Sequence, residues 1–348
     1  MTSHIFVNSP FHQCHGSTVS ILSDGSIAVA WFAGTRESNP DTAIWWCRQR
    51  DGKWEKPKMM AKCGYIAHWN PVLHPIGDGT LLLYFKVGKS PDSWDTWKTR
   101  IDEDGNAYYR PRQMKSTDVD QGRMTPGPVR GKIVVTSSGA WIAPSSIEKV
   151  VGRSLVGWHV HSDVEWESVI HRSSNRGKTW KSFIVPCPRK AGEYGGIIQP
   201  SVWEVSSGRL AALFRSTNGI LYRSDSSDDG RNWSQAVPTD IPNPNSAVDV
   251  SRMGDIVALV YNPTNGNWTR RSPLSVSFSG PDGTLFSDPV HMEDGAGNYS
   301  YPAMVATSDG FAVSYTWNRR TIAFARIVVG SDGKPVVKEG PEPYDFES

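Results

Sequence analysis

A glycine turn leading into an apolar strand occurs six times along this chain: "LSDGSIAVAWF", "IGDGTLLLYF", "TSSGAWIAP", "VSSGRLAALF", "SRMGDIVALVY" and "TSDGFAVSYTW". The turn glycines are Gly25, Gly79, Gly139, Gly208, Gly254 and Gly310, at intervals of 54, 60, 69, 46 and 56 residues. A second marker lies between them, a strand followed by a Gly-containing turn and often a Trp: "CRQRDGKW", "TRIDEDGNAY", "HRSSNRGKTW", "SDSSDDGRNW", "SVSFSGPDG" and "ARIVVGSDGK". Two markers in strict alternation describe one repeated unit. Units of roughly 40–50 residues with several strands apiece have the dimensions of a propeller blade rather than of a β-sandwich. Each unit hides its apolar faces against its neighbours, and closing the ring protects the outer edges. The expectation is an all-β chain forming a single domain over residues 1–348, a six-bladed β-propeller. Seven blades is the alternative, because the third unit carries an extra stretch, "VGRSLVGWHVHSDVEWES".

Composition agrees with many short strands and tight turns. The chain has 32 Gly, 24 Pro, 15 Trp, 11 Tyr and 11 Phe in 348 residues, and turn formers with aromatics are what strand-rich folds use. The 37 basic and 35 acidic residues leave a formal net charge of +2. That argues against a nucleic-acid or membrane partner held by bulk charge, so an acidic ligand needs a local cluster of Arg. Cys14, Cys47, Cys63 and Cys187 are too few and scattered for a disulfide scaffold, and no Cys/His spacing indicates a metal site. The first residues lack a basic start and an apolar run, and no stretch of about 20 apolar residues occurs. A cytoplasmic location is expected, or a secreted one if a leader precedes this sequence; "NWS", "NWT" and "NYS" would then be glycosylation acceptors.

Several polar residues stand at the ends of apolar strands, where a charge is expensive unless paired or at a channel mouth. Arg215 ends "LAALF" and Lys86 ends "LLLYF". His68 and Asn70 precede the second unit's strand, and Asn243, Asn245 and Asp249 suit sugar hydroxyls. Arg319 follows "SYTWN". In "NYSYPAMVATSDG", Tyr299 and Tyr301 lie two residues apart and so are expected on the same side of one strand. Recurrence of polar residues at corresponding strand ends is the make-up of a pocket at the top of a propeller.

The turn "SSDDGRNW" reads as structural punctuation. Its acidic side chain can accept hydrogen bonds from its own turn, Gly supplies positive φ, and Trp packs beneath. Ser226, Asp228, Gly230 and Trp233 match the Asp-box of sialidases. Ser173, Gly177, Thr179 and Trp180 form a second copy with Asn175 in place of the acid. Over almost its whole length the chain resembles the sialidase superfamily, in particular sialidase-like proteins with BNR/Asp-box repeats.

That resemblance implies three arginines around a sialic acid carboxylate, a Tyr nucleophile activated by a Glu, and an Asp acid/base. Bidentate arginines suit a planar carboxylate, and a Tyr nucleophile is the known exception among retaining glycosidases. Set against that pattern, Tyr299 takes the nucleophile's place and Asp41 the acid/base's, with Arg36 and Glu37 nearby. Arg215 and Arg271 take two arginine positions. His15 stands where the first arginine is usual, and Gln199 where the Glu is usual.

Three functions follow as expectations. The first is an exo-acting glycoside hydrolase removing an acidic terminal sugar, sialic-acid-like or uronic. The second is a polysaccharide lyase cleaving a rhamnose–uronate-type linkage by β-elimination, with His15, His68 or Tyr299 as base and Lys86 or Arg neutralising the carboxylate. The third is a non-catalytic carbohydrate-binding propeller. The partner expected is an acidic oligosaccharide or glycoconjugate, and none of the three needs a metal or cofactor.

Overall fold

The computed structural model describes residues 3–115, 125–156, 159–188, 194–330 and 335–347. Among these there is no helix, and every regular element is a strand. The repeated turn does what its sequence asks. In each unit a first strand runs into the turn, reverses, and pairs antiparallel with the apolar strand that follows. Gln13–Ile21 pairs with Ile27–Gly34, His68–Pro75 with Thr80–Val87, and Gly195–Ser206 with Arg209–Ser216. Asp249–Met253 pairs with Ile256–Tyr261, and Tyr299–Ala306 with Gly310–Trp317. Third and fourth strands extend each sheet outward.

The arrangement is a β-propeller, but the blade count differs from the six, or seven, expected. Four blades stand as separate sheets of four or five strands. The third and fourth repeat units instead share one eight-stranded sheet. A short parallel pairing, Glu165↔Gly195 and Trp166↔Gly196, joins them. Gly196 makes the close approach possible, since a Cβ there would lie 2.7 Å from the Trp166 carbonyl oxygen. The extra stretch of the third unit is no added blade. It lengthens one hairpin, Trp141–Val156 with His159–Ser173, and residues 157–158 at its tip lie outside the described residues.

Apolar faces are buried between successive units. Val29 and Trp31 pack with Ala312 and Phe324; Phe32 and Trp46 pack with Leu83 and Phe85; Val72 and Tyr84 with Trp141 and Ala143. Ile142 and Ile170 meet Val202 and Phe214, Leu213 meets Val250 and Leu259, and Val260 meets Val313 and Tyr315. At roughly 25 cal/mol per Å² of apolar area buried, these interfaces are the main source of stability. The ring is fastened by Ser3–His4, which adds to Thr321–Val329 in the last sheet. Beside it Phe6–Val7 pairs in parallel with Tyr344–Asp345.

The two Asp-box turns are wired alike. Gly230 N donates to Ser226 Oγ at 3.0 Å, and the N–H groups of Arg231 and Asn232 donate to Asp228 Oδ1 at 3.0 and 2.8 Å. In the other copy Gly177 N donates to Ser173 Oγ at 2.8 Å, and Thr179 N to Asn175 Oδ1 at 2.9 Å. Trp233 and Trp180 are buried beneath. Because Ser226 pairs with Leu210, this turn lies at the opposite end of its sheet from Arg215.

Candidate active site

The first strand of each unit is interrupted, or in the third and fifth units preceded, by a left-handed residue at a fixed position. Gly16, Asn70, Arg130, Gln199, Asn245 and Tyr301 all have left-handed φ, from 43° to 64°. Each stands nine residues ahead of its unit's turn glycine. In four units the strand register slips here, between His15 and Thr18, Trp69 and Val72, Ile198 and Ser201, and Ser300 and Ala303. A left-handed bulge in a strand re-aims its side chain. Gly16 has no room for one, since a Cβ would come within 2.9 Å of Phe32 and 3.0 Å of Asn70 Oδ1. The neighbouring His15 fills that sector.

Three of these residues, Gln199, Asn245 and Tyr301, drawn from three units, meet Arg215 at the end of a second strand. Arg215 Nη1 donates to Tyr301 Oη at 3.0 Å and to Gln199 Oε1 at 3.2 Å, and its Nε donates to Asn245 Oδ1 at 2.8 Å. Arg271 Nη2 donates to the Asn245 carbonyl at 3.2 Å. Arg130 Nη1 donates to the Val248 carbonyl at 2.7 Å, and Nη2 to that of Pro302. The guanidinium carbons of Arg130, Arg271 and Arg215 lie 5.3, 5.7 and 6.0 Å from the Tyr301 ring centroid. His15 lies against the same ring at 4.1 Å. Its Nδ1 is bonded to Thr316 Oγ1 at 2.9 Å, while Nε2 is buried without a hydrogen-bond partner among the described residues. Trp166 and Trp268 flank Arg215, each 5.3 Å from its guanidinium carbon. Trp268 is 62% exposed and forms part of the rim.

Charge is concentrated in this cluster. Arg130, Arg215 and Arg271 are 4, 1 and 7% exposed, and none forms an ion pair among the described residues. Burial alone would raise the Tyr301 phenol. Arg215 and Arg271, with a hydrogen bond from Gln199, outweigh burial and the charge of Glu37, so the phenol is lowered. Burial drives His15 well below the usual imidazole range, and Arg319, Arg271, Arg130 and Arg215 push the same way, so it is neutral. Glu37, close enough to act on Tyr301, accepts from Arg319 Nη1 at 2.5 Å.

Not every expected site residue is brought here. Tyr299 and Tyr301 were expected on one side of their strand. They diverge because the left-handed Tyr301 breaks the alternation. Tyr299 is buried among Met304, Tyr315 and Trp317, and burial with Glu293 and Asp294 pushes its phenol up. Asp41 caps its own loop, accepting from Thr35 N at 2.8 Å and Thr35 Oγ1 at 2.6 Å. The carboxylate this loop turns to the cluster is Glu37. Arg36 is exposed on the same loop. His68 uses both ring nitrogens locally, Nε2 accepting from Cys63 N and Nδ1 donating to the Ile66 carbonyl. Lys86 turns between the second and third units to Thr96 Oγ1, 2.5 Å away, where burial lowers it to about 7 against the pull of Asp95. Arg319 stands at the edge through Glu37, and Asn70 beside Gly16. Arg130, Trp166 and Trp268 had not been singled out in the sequence. The constant nine-residue offset would have found Arg130; nothing local marks the two tryptophans.

A family model described as a BNR repeat-like domain matches residues 25–313. The chain belongs to the BNR repeat-like family. The superfamily expected from the Asp-boxes is thereby met, and the solved structures agree at the level of fold. A protein of unknown function from Dyadobacter fermentans superposes with a TM-score of 0.73 at 17% identity, covering 93% of this chain and 96% of that one. The Trypanosoma rangeli sialidase, solved with the inhibitor DANA, gives 0.67 at 15% identity over 93% of this chain. This chain spans only 57% of the trypanosomal protein's length. The NanB sialidase of Streptococcus pneumoniae gives 0.67 at 12% identity, covering 92% of this chain and 70% of that one. No curated protein sequence matches this BNR repeat-like chain.

Proposed function

We propose that this BNR repeat-like protein is an exo-acting glycoside hydrolase that removes a terminal acidic sugar, sialic-acid-like or uronic. Tyr301 is the nucleophile, and Arg215 and Arg271 clamp the substrate carboxylate. One observation carries the reading: three buried guanidiniums surround one phenol with no carboxylate paired to them among the described residues. A buried cation without a counter-charge is costly, and an arriving planar carboxylate supplies that charge in the geometry guanidinium prefers. The superposable proteins that include named sialidases support the same class.

Activation of Tyr301 differs from the pattern implied by the resemblance. Gln199 cannot take a proton from a phenol. Here the Arg215 hydrogen bond and the Arg271 charge favour the phenolate directly, which is a cation-activated rather than base-activated nucleophile. A specific observation favours elimination as the second reading. His15 Nε2, neutral and without a hydrogen-bond partner among the described residues, lies beside Tyr301 and suits a base abstracting the proton next to a uronate carboxylate.

Digestion of a panel of acidic oligosaccharides, read by mass spectrometry and ultraviolet absorbance, separates the readings. Release of a terminal acidic sugar with one water added is the expected result. An unsaturated uronate would replace hydrolysis by elimination. No product at all, with Tyr301→Phe and wild type binding the same glycans equally, would make this a binding propeller and overturn both enzymatic readings.

A further inference from the structure

The glycosidase reading leaves one role unfilled, because a phenolate that attacks an anomeric carbon still needs a proton delivered to the departing oxygen. Asp41 is committed to its own loop, and Glu37 is paired with Arg319. The long hairpin of the third unit offers another carboxylate. Its pairing register sets Glu148 opposite Trp166 and Ser146 opposite Ser168. Directly opposed residues share a face, as do residues two apart on one strand, so these four side chains stand together. Three of them show where that face looks. Ser146 Oγ accepts from Gln199 N at 2.7 Å, Ser168 Oγ donates to the Ile197 carbonyl at 3.0 Å, and Trp166 lies against Arg215. The face is turned to the strand that carries Gln199 and to the cluster above it.

We infer that Glu148 is the general acid/base of this site. The inference rests on the hydrolase reading and adds a residue that neither the sequence nor the resemblance had singled out. Glu148 forms no ion pair among the described residues. The charged and titratable groups acting on it are Arg215, Asp92 and Glu37, with the Trp166 indole alongside. Burial raises its carboxyl; Arg215 and Trp166 oppose the rise, and Asp92 and Glu37 add to it. A carboxyl that burial shifts toward its protonated form, on a face turned to the cluster, is suited to donate.

In the first step the Tyr301 phenolate oxygen bonds to the anomeric carbon. The bond from that carbon to the aglycone oxygen breaks, and the Glu148 proton passes to that oxygen. In the second step the Glu148 carboxylate takes a proton from water, whose oxygen attacks the anomeric carbon. The bond to Tyr301 breaks, returning the phenolate and a protonated Glu148. The sum is glycoside plus water giving sugar plus alcohol.

The test compares wild type and Glu148→Gln on two glycosides of the same acidic sugar. One is a para-nitrophenyl glycoside, whose leaving group needs no proton. The other is a lactosyl glycoside, whose leaving group does. Expected is a loss of about 10²-fold or more in kcat/KM on the lactosyl substrate, a far smaller loss on the nitrophenyl substrate, and rescue by sodium azide with formation of a glycosyl azide. On the nitrophenyl substrate the variant's pH profile should also keep only the rise that belongs to Tyr301. Equal losses on both substrates, or none on either, would overturn the role of Glu148 while leaving hydrolysis standing. A folded wild type that cleaves neither substrate would instead overturn the hydrolase reading, and this inference with it.

Discussion

Two kinds of turn recur around this ring, and they recur differently. The Asp-box turns repeat their side chains: Ser173 and Ser226, Asn175 and Asp228, Gly177 and Gly230 make corresponding hydrogen bonds in their two copies, and Trp180 and Trp233 are buried in both. The strand bulges repeat only their backbone. Gly16, Asn70, Arg130, Gln199, Asn245 and Tyr301 share a left-handed φ and an offset, yet almost no chemistry. Left-handed φ costs a non-glycine residue about 1–3 kcal/mol, and this chain bears that cost in five units out of six. Where side chains repeat, the turn serves the scaffold. Where backbone repeats and side chains diverge, the positions are those on which the proposed function draws.

Substitution in the bulge set should bring the largest effect. Tyr301→Phe is expected to lower kcat/KM by at least ~10³-fold with little change in the urea midpoint, as its ring contacts survive. If activity persists while Tyr299→Phe abolishes it, the comparison fails. Arg215→Met comes next, with weakened binding of an acidic glycan. Its distinguishing readout is the ultraviolet difference titration of Tyr301, which should move upward as a cation is lost. In the Asp-box set, Asp228→Ala removes the acceptor for two backbone N–H groups and should cost ~1–3 kcal/mol of stability, with kcat/KM preserved once folded. An equal loss of activity would show that the two turn types are not separate.

The smallest effect concerns acid. His68 and His74 are each lowered to about 4, chiefly by burial, and His171 to about 3. In the unfolded chain they titrate near 6.5. Between pH 6.5 and about 4 the unfolded state therefore binds more protons, so stability must fall as pH falls through that window. A urea midpoint unchanged from pH 7 to 4.5 would contradict this. Since none of the three joins the cluster around Tyr301, His74→Gln should flatten part of the slope without altering the pH dependence of turnover.

The repeated units, the apolar second strands and the Asp-box wiring were legible in the sequence because glycine, Trp and apolar runs declare them locally. So were Arg215, Arg271, Gln199 and Asn245 as neighbours. The choice of Tyr299 over Tyr301 came from strand alternation, which a non-glycine residue in left-handed φ breaks without announcing it. Asp41 and Glu37 sit on one loop, and their roles in the fold depend on whether Thr35 or Arg319 is the partner. Glu148 and Trp166 come from the long hairpin of the third unit and reach Arg215 through packing between units; Trp268 sits three residues before Arg271, in a segment with no local pattern. The eight-stranded sheet depends on two residue pairs, Glu165↔Gly195 and Trp166↔Gly196, too small a feature for any pattern to carry.

The nine-residue offset makes the mouth of this protein spellable. Counting back from each turn glycine gives a six-letter word, GNRQNY, with His15 standing beside its first letter. The scaffold constrains where each letter is written far more than which letter it is. A lineage could therefore exchange substrates one letter at a time while the interfaces between units stay intact. Relatives could be sorted by their words before any of them is assayed, and a chain that replaces both R and Y would be the first to set aside as a hydrolase.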